Sequence, residues 1–132
     1  MDFQKTLKTE ARLEGIGLHT GARSRMVCRP APPNAGIRFF RSDIPGMPML
    51  PARLAFVVDT HRGTTLAIDG AAVHTVEHVL SACVGLGIDN LDILLDAPEP
   101  PSVDGSALPI LKALLAAGIE SSVAPRRALN LP

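Results

Sequence analysis

Polar and apolar residues alternate through much of the first third of the chain, which is the pattern of half-buried β-strands. The alternation, together with clusters of β-branched and aromatic residues, predicts strands over residues 5–12, 22–29, 37–41, 52–58, 64–68 and 71–73. Asp69 and Gly70 separate the last two strands and predict a hairpin turn. Residues 88–95 predict a buried strand, and prolines and glycines mark residues 30–36 and 44–51 as connections.

Two stretches carry apolar residues at the three- and four-residue spacing of an amphipathic helix. The first helix is predicted to begin near His74 and to end at Gly85 and Gly87. Its predicted buried stripe consists of Val76, Val79, Leu80 and Cys83. The second helix is predicted to follow residues 104–106 and to end at Gly118. Its predicted apolar side carries Leu108, Leu111 and Leu115.

The composition fits one folded domain, because 132 residues with 46% hydrophobic and 20% charged residues can bury a core. Thirteen Lys and Arg residues balance thirteen Asp and Glu residues, so no net field attracts a polyanion. Trp and Tyr are absent, which leaves four Phe side chains to stack on bases. We therefore expect no nucleic-acid partner.

The apolar runs are too short to cross a membrane. The longest, residues 79–88 and 108–119, fall short of the roughly 20 residues that span a bilayer. Residues 1–8 are charged and lack the apolar core of a secretory signal. We therefore expect no transmembrane segment and a cytoplasmic protein.

The two cysteines do not indicate a metal or redox centre. Cys28 and Cys83 are far apart, and neither belongs to a Cys-x-x-Cys pair. We expect both to be small buried hydrophobic residues.

The strongest candidate for chemistry is the pentapeptide His-Thr-Val-Glu-His at residues 74–78. A zinc hydrolase needs neutral imidazoles to hold the metal and a carboxylate to take a proton from bound water. The pentapeptide also satisfies the inverted-zincin pattern, in which His74 and His78 bind zinc and Glu77 is the base. That pattern needs a further ligand downstream, and no downstream acid is clearly placed for it. Alternatively, both histidines are ordinary solvated or core residues that have no role in chemistry.

Two loops offer further polar candidates. His19 lies in a glycine-rich loop, residues 15–21, where it is either an exposed turn residue or a substrate contact. Asp104 and Ser106 precede the second helix, where either oxygen can cap free N–H groups of the first turn.

Four motifs, in order and at similar spacing, resemble the zinc-dependent UDP-3-O-acyl-N-acetylglucosamine deacetylase family of bacterial lipid A synthesis. They lie at residues 15–21, 75–78, 85–90 and 104–106, within a resemblance that runs from about Lys5 to Glu120. The resemblance is to the N-terminal half of that family. It implies an α+β fold, a two-layer sandwich in which a small, mostly antiparallel sheet packs against two helices.

The resemblance also implies roles for individual residues. Glu77 would be the general base and His78 a zinc ligand, while His74 would not bind metal. His19 and Asp104 would contact the substrate, UDP-3-O-(3-hydroxyacyl)-N-acetylglucosamine, whose 2-acetamido group is hydrolysed in the family.

In that family the second half supplies the other zinc ligands, a histidine and an aspartate. We therefore expect this chain alone to bind Zn²⁺ weakly or not at all, and to be inactive until a second half joins it in cis or in trans. Residues 1–123 would form the deacetylase-like domain, and residues 124–132 a linker or the first strand of a missing domain. The face left open by the missing partner favours self-association.

Two other hypotheses stay open from the sequence. One is a non-catalytic module that binds a nucleotide sugar or serves assembly. The other is a small inverted-zincin metallopeptidase.

Overall fold

The computed structural model describes residues 2–132 of the chain. Over that range the strands are β1 (Phe3–Leu7), β2 (Ala11–Ile16), β3 (Arg23–Pro30), β4 (Ile37–Arg41), β5 (Met49–Pro51), β6 (Val57–Asp59), β7 (Thr65–Ile68), β8 (Ala71–Val73), β9 (Leu91–Leu95) and β10 (Ile119–Pro125). The α-helices are α1 (Glu77–Leu86) and α2 (Leu108–Ala117). None of the helices in these residues is long and apolar enough to cross a membrane.

The largest sheet has five strands in the order β2-β3-β9-β4-β5. Its pairs are antiparallel except for β4 and β9, which run parallel. Leu91, Ile93 and Leu95 of β9 are fully buried and alternate with partly exposed residues, so one face of the sheet lies on the core. Buried residues of the sheets and of both helices form one hydrophobic cluster. The predicted α+β fold with sheets packed against helices is confirmed.

The prediction of one strand over residues 5–12 is wrong, because two sheets share this segment. β1 pairs with β10, whereas β2 pairs with β3. Between them the chain bends at Lys8, whose amide donates to the Gly118 carbonyl. Alternation alone cannot show where a chain leaves one sheet for another.

That residues 124–132 are a linker or the first strand of a missing domain stays a prediction, and residues 126–132 form no strand here. Ala124 and Pro125 are the end of β10, which already has its partner in β1. The Arg126 guanidinium then binds the carboxylates of Asp89 and Asp2. The predicted domain boundary after residue 123 stays a prediction.

The segment from residue 44 to 58 differs from its prediction. Residues 49–51, predicted as part of a connection, form the edge strand β5 beside β4, where proline is tolerated because one side of the strand needs no partner. Residues 52–58, predicted as a strand, instead contain a 3₁₀ turn, Leu54–Phe56, before the short β6.

The hairpin of β7 and β8 is confirmed. Asp69 and Gly70 have φ of 46° and 81°, which is the left-handed pair that a two-residue hairpin turn requires. Together β6, β7 and β8 form a three-stranded antiparallel sheet.

Helix α1 begins at Glu77, three residues later than predicted. Thr75 has φ of 55°, a left-handed conformation that a right-handed helix cannot contain, so His74 lies outside the helix. Val79 and Cys83 are buried as predicted, whereas Leu80 is only partly buried. Gly87, with φ of 70°, caps the helix C-terminus.

Both cysteines are buried free thiols, as the sequence predicted. Burial raises the pKa of Cys28 and that of Cys83 to about 12. Neither thiol is therefore a nucleophile in the folded chain.

The predicted apolar side of α2 is not its buried side. Ile110 and Leu114 enter the core, while Leu108 and Leu115 are exposed. The helix is apolar on nearly every side, so its periodicity does not select a face. Leu108 and Leu115 therefore lie on the surface, and Leu111 between them is partly buried against the core.

Leu114 and Leu115 provide a matched test of this orientation, because they are adjacent leucines with side chains 0% and 56% exposed. We expect Leu114→Ala to lower the free energy of unfolding by about 2 to 5 kcal/mol through the cavity it leaves. Leu115→Ala should cost less than about 1 kcal/mol. Urea unfolding followed by circular dichroism measures both, and equal losses would contradict the observed face.

Candidate functional site

An open cleft of about 330 Å³ lies between the glycine loop, the turn from β6 to β7 and the segment that precedes α1. We call it the histidine cleft. It is lined by His19, Thr20, Asp59, His61, Arg62, Gly63, Thr65, His74 and Thr75. The cleft therefore gathers residues from three separated parts of the chain.

Glu77 is held against one wall of this cleft. It is the first residue of α1, where the partial positive charge of a helix N-terminus favours a carboxylate. The Thr64 amide donates to Glu77 Oε2 over 3.0 Å. A Cβ on Gly63 would lie 3.2 Å from Glu77 Oε1 and 3.8 Å from His19 Nε2. Gly63 thus leaves the space in which the carboxylate and the imidazole approach each other.

His78 follows Glu77 and points about 100° around the helix axis from it. It lines a second, narrow cavity of about 10 Å³, and Thr75 belongs to both cavities. The other residues of the second cavity are Leu18, Glu99, Pro100, Pro101, Ser102 and Ser106. His78 therefore shares the narrow cavity with Thr75, while Glu77 lies beside Gly63 of the histidine cleft without being one of its lining residues.

The donor set fits part of a zinc site. His78 supplies one partly exposed imidazole, and Glu77 supplies a carboxylate beside it. Among residues 2–132 no three His, Cys, Asp or Glu side chains come together in a metal-binding group. A catalytic zinc ordinarily has three protein ligands, so the remaining ones would have to come from another polypeptide segment.

His74 belongs to the histidine cleft but not to helix α1. Its Nδ1 lies 3.0 Å from the Thr65 hydroxyl, and its amide donates to the Pro98 carbonyl. The inverted-zincin pattern places its two histidines one helical turn apart, and the left-handed Thr75 removes that geometry here.

His61 is a cleft residue that sequence reasoning missed. It lies in the turn between β6 and β7, and its amide donates to the Asp59 carboxylate. No motif surrounds it, and only the folding of the turn onto the glycine loop brings it to the cleft.

Glu99 was also missed, although it organises the glycine loop. The sequence indicated only an acid in a proline-rich turn, yet its side chain is 0% exposed. The amides of His19 and Thr20 donate to its two oxygens over 3.0 and 2.9 Å. The signal was its position among Ala97, Pro98 and Pro100, since a carboxylate in an apolar segment requires donors from elsewhere.

The pKa of Glu99 is set by opposing effects. Burial raises it, while hydrogen bonds from the Thr20 and His19 amides and from the Thr20 and Thr75 side chains lower it. The net result is a pKa below the ordinary value of 4.5. Glu99 is therefore ionised at neutral pH.

Asp104 and Ser106 form a local turn before α2. Asp104 Oδ1 accepts from the Ser106 amide and hydroxyl, which lowers the pKa of Asp104. The Ser106 hydroxyl in turn accepts from the Leu108 amide two residues on, although the N-cap residue of α2 is Ala107 and has no side-chain cap. Asp104 is exposed, whereas Ser106 reaches the narrow cavity of His78. The substrate roles of His19 and Asp104 stay predictions.

The lowered pKa of Glu99 predicts a pH-dependent contribution to stability. That contribution is fully present above the unfolded pKa near 4.5 and is lost as the pH falls through the folded pKa. We expect Glu99→Gln to lower the free energy of unfolding at neutral pH, and its difference from wild type to shrink toward about pH 3. Urea unfolding across this range measures the difference. A gap that stays constant would contradict the prediction.

Comparison with known proteins places this fold and these motifs in a family. The family model for UDP-3-O-acyl N-acetylglycosamine deacetylase, LpxC, matches residues 4–132. The UDP-3-O-acyl-N-acetylglucosamine deacetylase of Myxococcus xanthus is 48% identical over 126 residues, which are 96% of this chain and 40% of that protein. The bifunctional enzyme LpxC/FabZ of Chlorobaculum tepidum is 50% identical over 96% of this chain and 27% of its own length.

The deacetylase of Coxiella burnetii is 44% identical over 97% of this chain and 42% of that protein. The chain thus spans less than half the length of these relatives. The family resemblance of the four motifs is confirmed: the chain belongs to the LpxC family of UDP-3-O-acyl N-acetylglycosamine deacetylases.

Proposed function

We propose that this chain is the N-terminal half of a zinc-dependent amidohydrolase of lipid A biosynthesis, acting in the cytoplasm. Its reaction would remove the acetyl group of UDP-3-O-(3-hydroxyacyl)-N-acetylglucosamine. The names of the relatives support this substrate class, and they support neither the peptidase nor the non-catalytic module. The observation that carries the proposal is Glu77, fixed by the Thr64 amide against the cleft wall with His78 beside it.

Glu77 is the general base in this proposal. Its Oε2 accepts a hydrogen bond from the Thr64 amide, which gives the carboxylate a defined direction. Its Oε1 lies beside Gly63 at the cleft, where an attacking water would give up its proton. The water oxygen would bond to the carbonyl carbon, and the C–N bond would break as the nitrogen takes up the proton, which gives acetate and an amine.

His78 is the metal ligand that this chain contributes. Zinc held by His78 and by ligands of the second half would polarise the amide carbonyl and lower the pKa of water. His19 and Asp104 are the proposed substrate contacts. His19 faces the histidine cleft, and Asp104 holds the turn that carries Ser106 to the cavity of His78.

The second half, in cis or in trans, is proposed to cover an apolar helix face made by Val84, Leu108, Leu111 and Leu115. Val84 of α1 is 81% exposed, and Leu108 and Leu115 are more than half exposed. Leu111 Cδ1 comes within 3.8 Å of the Cβ position on Gly85, so α1 and α2 present these side chains as one surface. Contiguous apolar surface of this kind favours association.

The roles of Glu77 and His78 can be tested in a chimera that joins residues 1–132 to the rest of the Myxococcus xanthus relative. We expect Glu77→Gln to lower kcat for deacetylation about 100-fold or more, because the water loses its base. We expect His78→Ala to remove stoichiometric zinc, measured by elemental analysis after gel filtration.

His74→Ala is the matched control for the metal assignment. It deletes the other imidazole of the pentapeptide, and the chimera should keep its zinc. Equal zinc loss in both variants would contradict the assignment of His78. An unchanged kcat in Glu77→Gln would contradict the assignment of the base.

The apolar helix face predicts self-association of the isolated chain. We expect sedimentation velocity to show a concentration-dependent dimer or larger species. The substitutions Val84→Glu and Leu115→Glu should shift it to monomer, because a charge opposes burial of that face. Val123→Glu is the control, since Val123 is 93% exposed on β10, away from the helix face. A wild-type chain that is monomeric at every concentration would contradict the prediction.

A further inference from the structure

Glu99 carries a buried charge that the chemistry described so far does not use. Its side chain is 0% exposed and follows β9 in a segment rich in proline. Its hydrogen-bond partners among the described residues are amides and hydroxyls rather than Lys or Arg side chains. A desolvated carboxylate is costly, so these donors are strongly constrained to stay in place.

One group of these donors belongs to the glycine loop. The His19 amide lies 3.0 and 3.2 Å from the two Glu99 oxygens, and the Thr20 amide lies 2.9 Å from Oε2. Gly17 packs directly on the same carboxylate, and any side chain there would collide with Glu99 Oε2 and Thr20 Oγ1. The Glu99 side chain thus holds the backbone that carries the His19 imidazole, in addition to the hydrogen bonds within the loop such as that from the Gly17 amide to the Ala22 carbonyl.

The other wall of the site is tied to the same segment. The His74 amide donates to the carbonyl of neighbouring Pro98 over 2.8 Å, and Thr75 lines the same narrow cavity as Glu99. Thr75 has φ of 55°, which is strained for a β-branched residue and persists only where its surroundings hold it. This strained residue sets the direction in which α1 presents Glu77.

The geometry points to Glu99 as a positioning residue that joins the His19 loop to the start of helix α1 and so fixes His19 opposite Glu77. Residues 98 and 99 thus contact both walls of the site. The Glu99 carboxylate accepts from the His19 and Thr20 amides, and the Pro98 carbonyl accepts from the His74 amide. This inference rests on the proposed function, because the position of His19 matters for catalysis only if His19 contacts the substrate. The hydrogen bonds from the His19 and Thr20 amides to Glu99 can be tested without an activity assay.

The first test is amide hydrogen exchange by nuclear magnetic resonance on the chain of 132 residues. In wild type the His19 and Thr20 amides should exchange slowly although both residues are on an exposed loop. In Glu99→Gln, whose neutral amide has one acceptor oxygen instead of two, they should exchange at least tenfold faster while core amides such as that of Ile93 are unchanged.

Asp89→Asn is the matched control, because Asp89 flanks the opposite end of β9. Its carboxylate also accepts from a backbone amide, that of Lys5, and binds Arg126. This variant should loosen the Lys5 amide and leave the amides of His19 and Thr20 protected. If wild-type His19 and Thr20 exchange as fast as unprotected loop amides, the inference is overturned. This measurement uses the wild-type chain alone, so it does not depend on whether either variant folds.

The second test follows deacetylation in the chimera with the Myxococcus xanthus relative. Glu99→Gln should lower kcat/KM about tenfold or more through displacement of His19. In a His19→Ala background the same substitution should add little, since both changes remove one function. Additive losses would overturn the positioning role. A wild-type chimera without activity would instead count against the proposed function. The hydrogen-exchange result would then decide by itself whether Glu99 holds the His19 loop.

Discussion

The carboxylate of Glu99 must find hydrogen-bond donors inside the protein, because its side chain has no exposed surface. It finds them in the amides of His19 and Thr20, which lie far from it in the sequence, while the neighbouring Pro98 carbonyl accepts from the His74 amide. Meeting this one requirement brings the glycine loop against the segment that leads into α1. The histidine cleft lies where those two segments meet the turn from β6 to β7.

The left-handed conformation of Thr75 has consequences on both of its sides. It keeps His74 out of helix α1 and turns that imidazole toward Thr65. It also allows the helix to begin at Glu77, so that the carboxylate gains the favourable field of the N-terminus and the Thr64 amide. His78 then faces a separate cavity.

This domain has an incomplete set of metal donors and an exposed apolar helix face. The described residues bring together too few metal donors for a complete catalytic zinc site, and helices α1 and α2 expose apolar side chains such as Val84 and Leu115. The family relationship links the two features, since the chain spans less than half of its relatives. In the proposed function, a second half would supply both the missing ligands and the cover for the apolar helix face.

The sequence by itself determined the features that depend on neighbouring residues. The strand at residues 37–41, the Asp69–Gly70 turn and the Gly87 cap follow from local preference, and the four motifs identified the family with Glu77 and His78 adjacent. Tertiary structure alone decided the division of residues 5–12 between two sheets, the buried face of α2 and the burial of Glu99. Those outcomes could not be predicted because periodicity shows which residues can be buried, whereas the partner that buries them lies elsewhere in the chain.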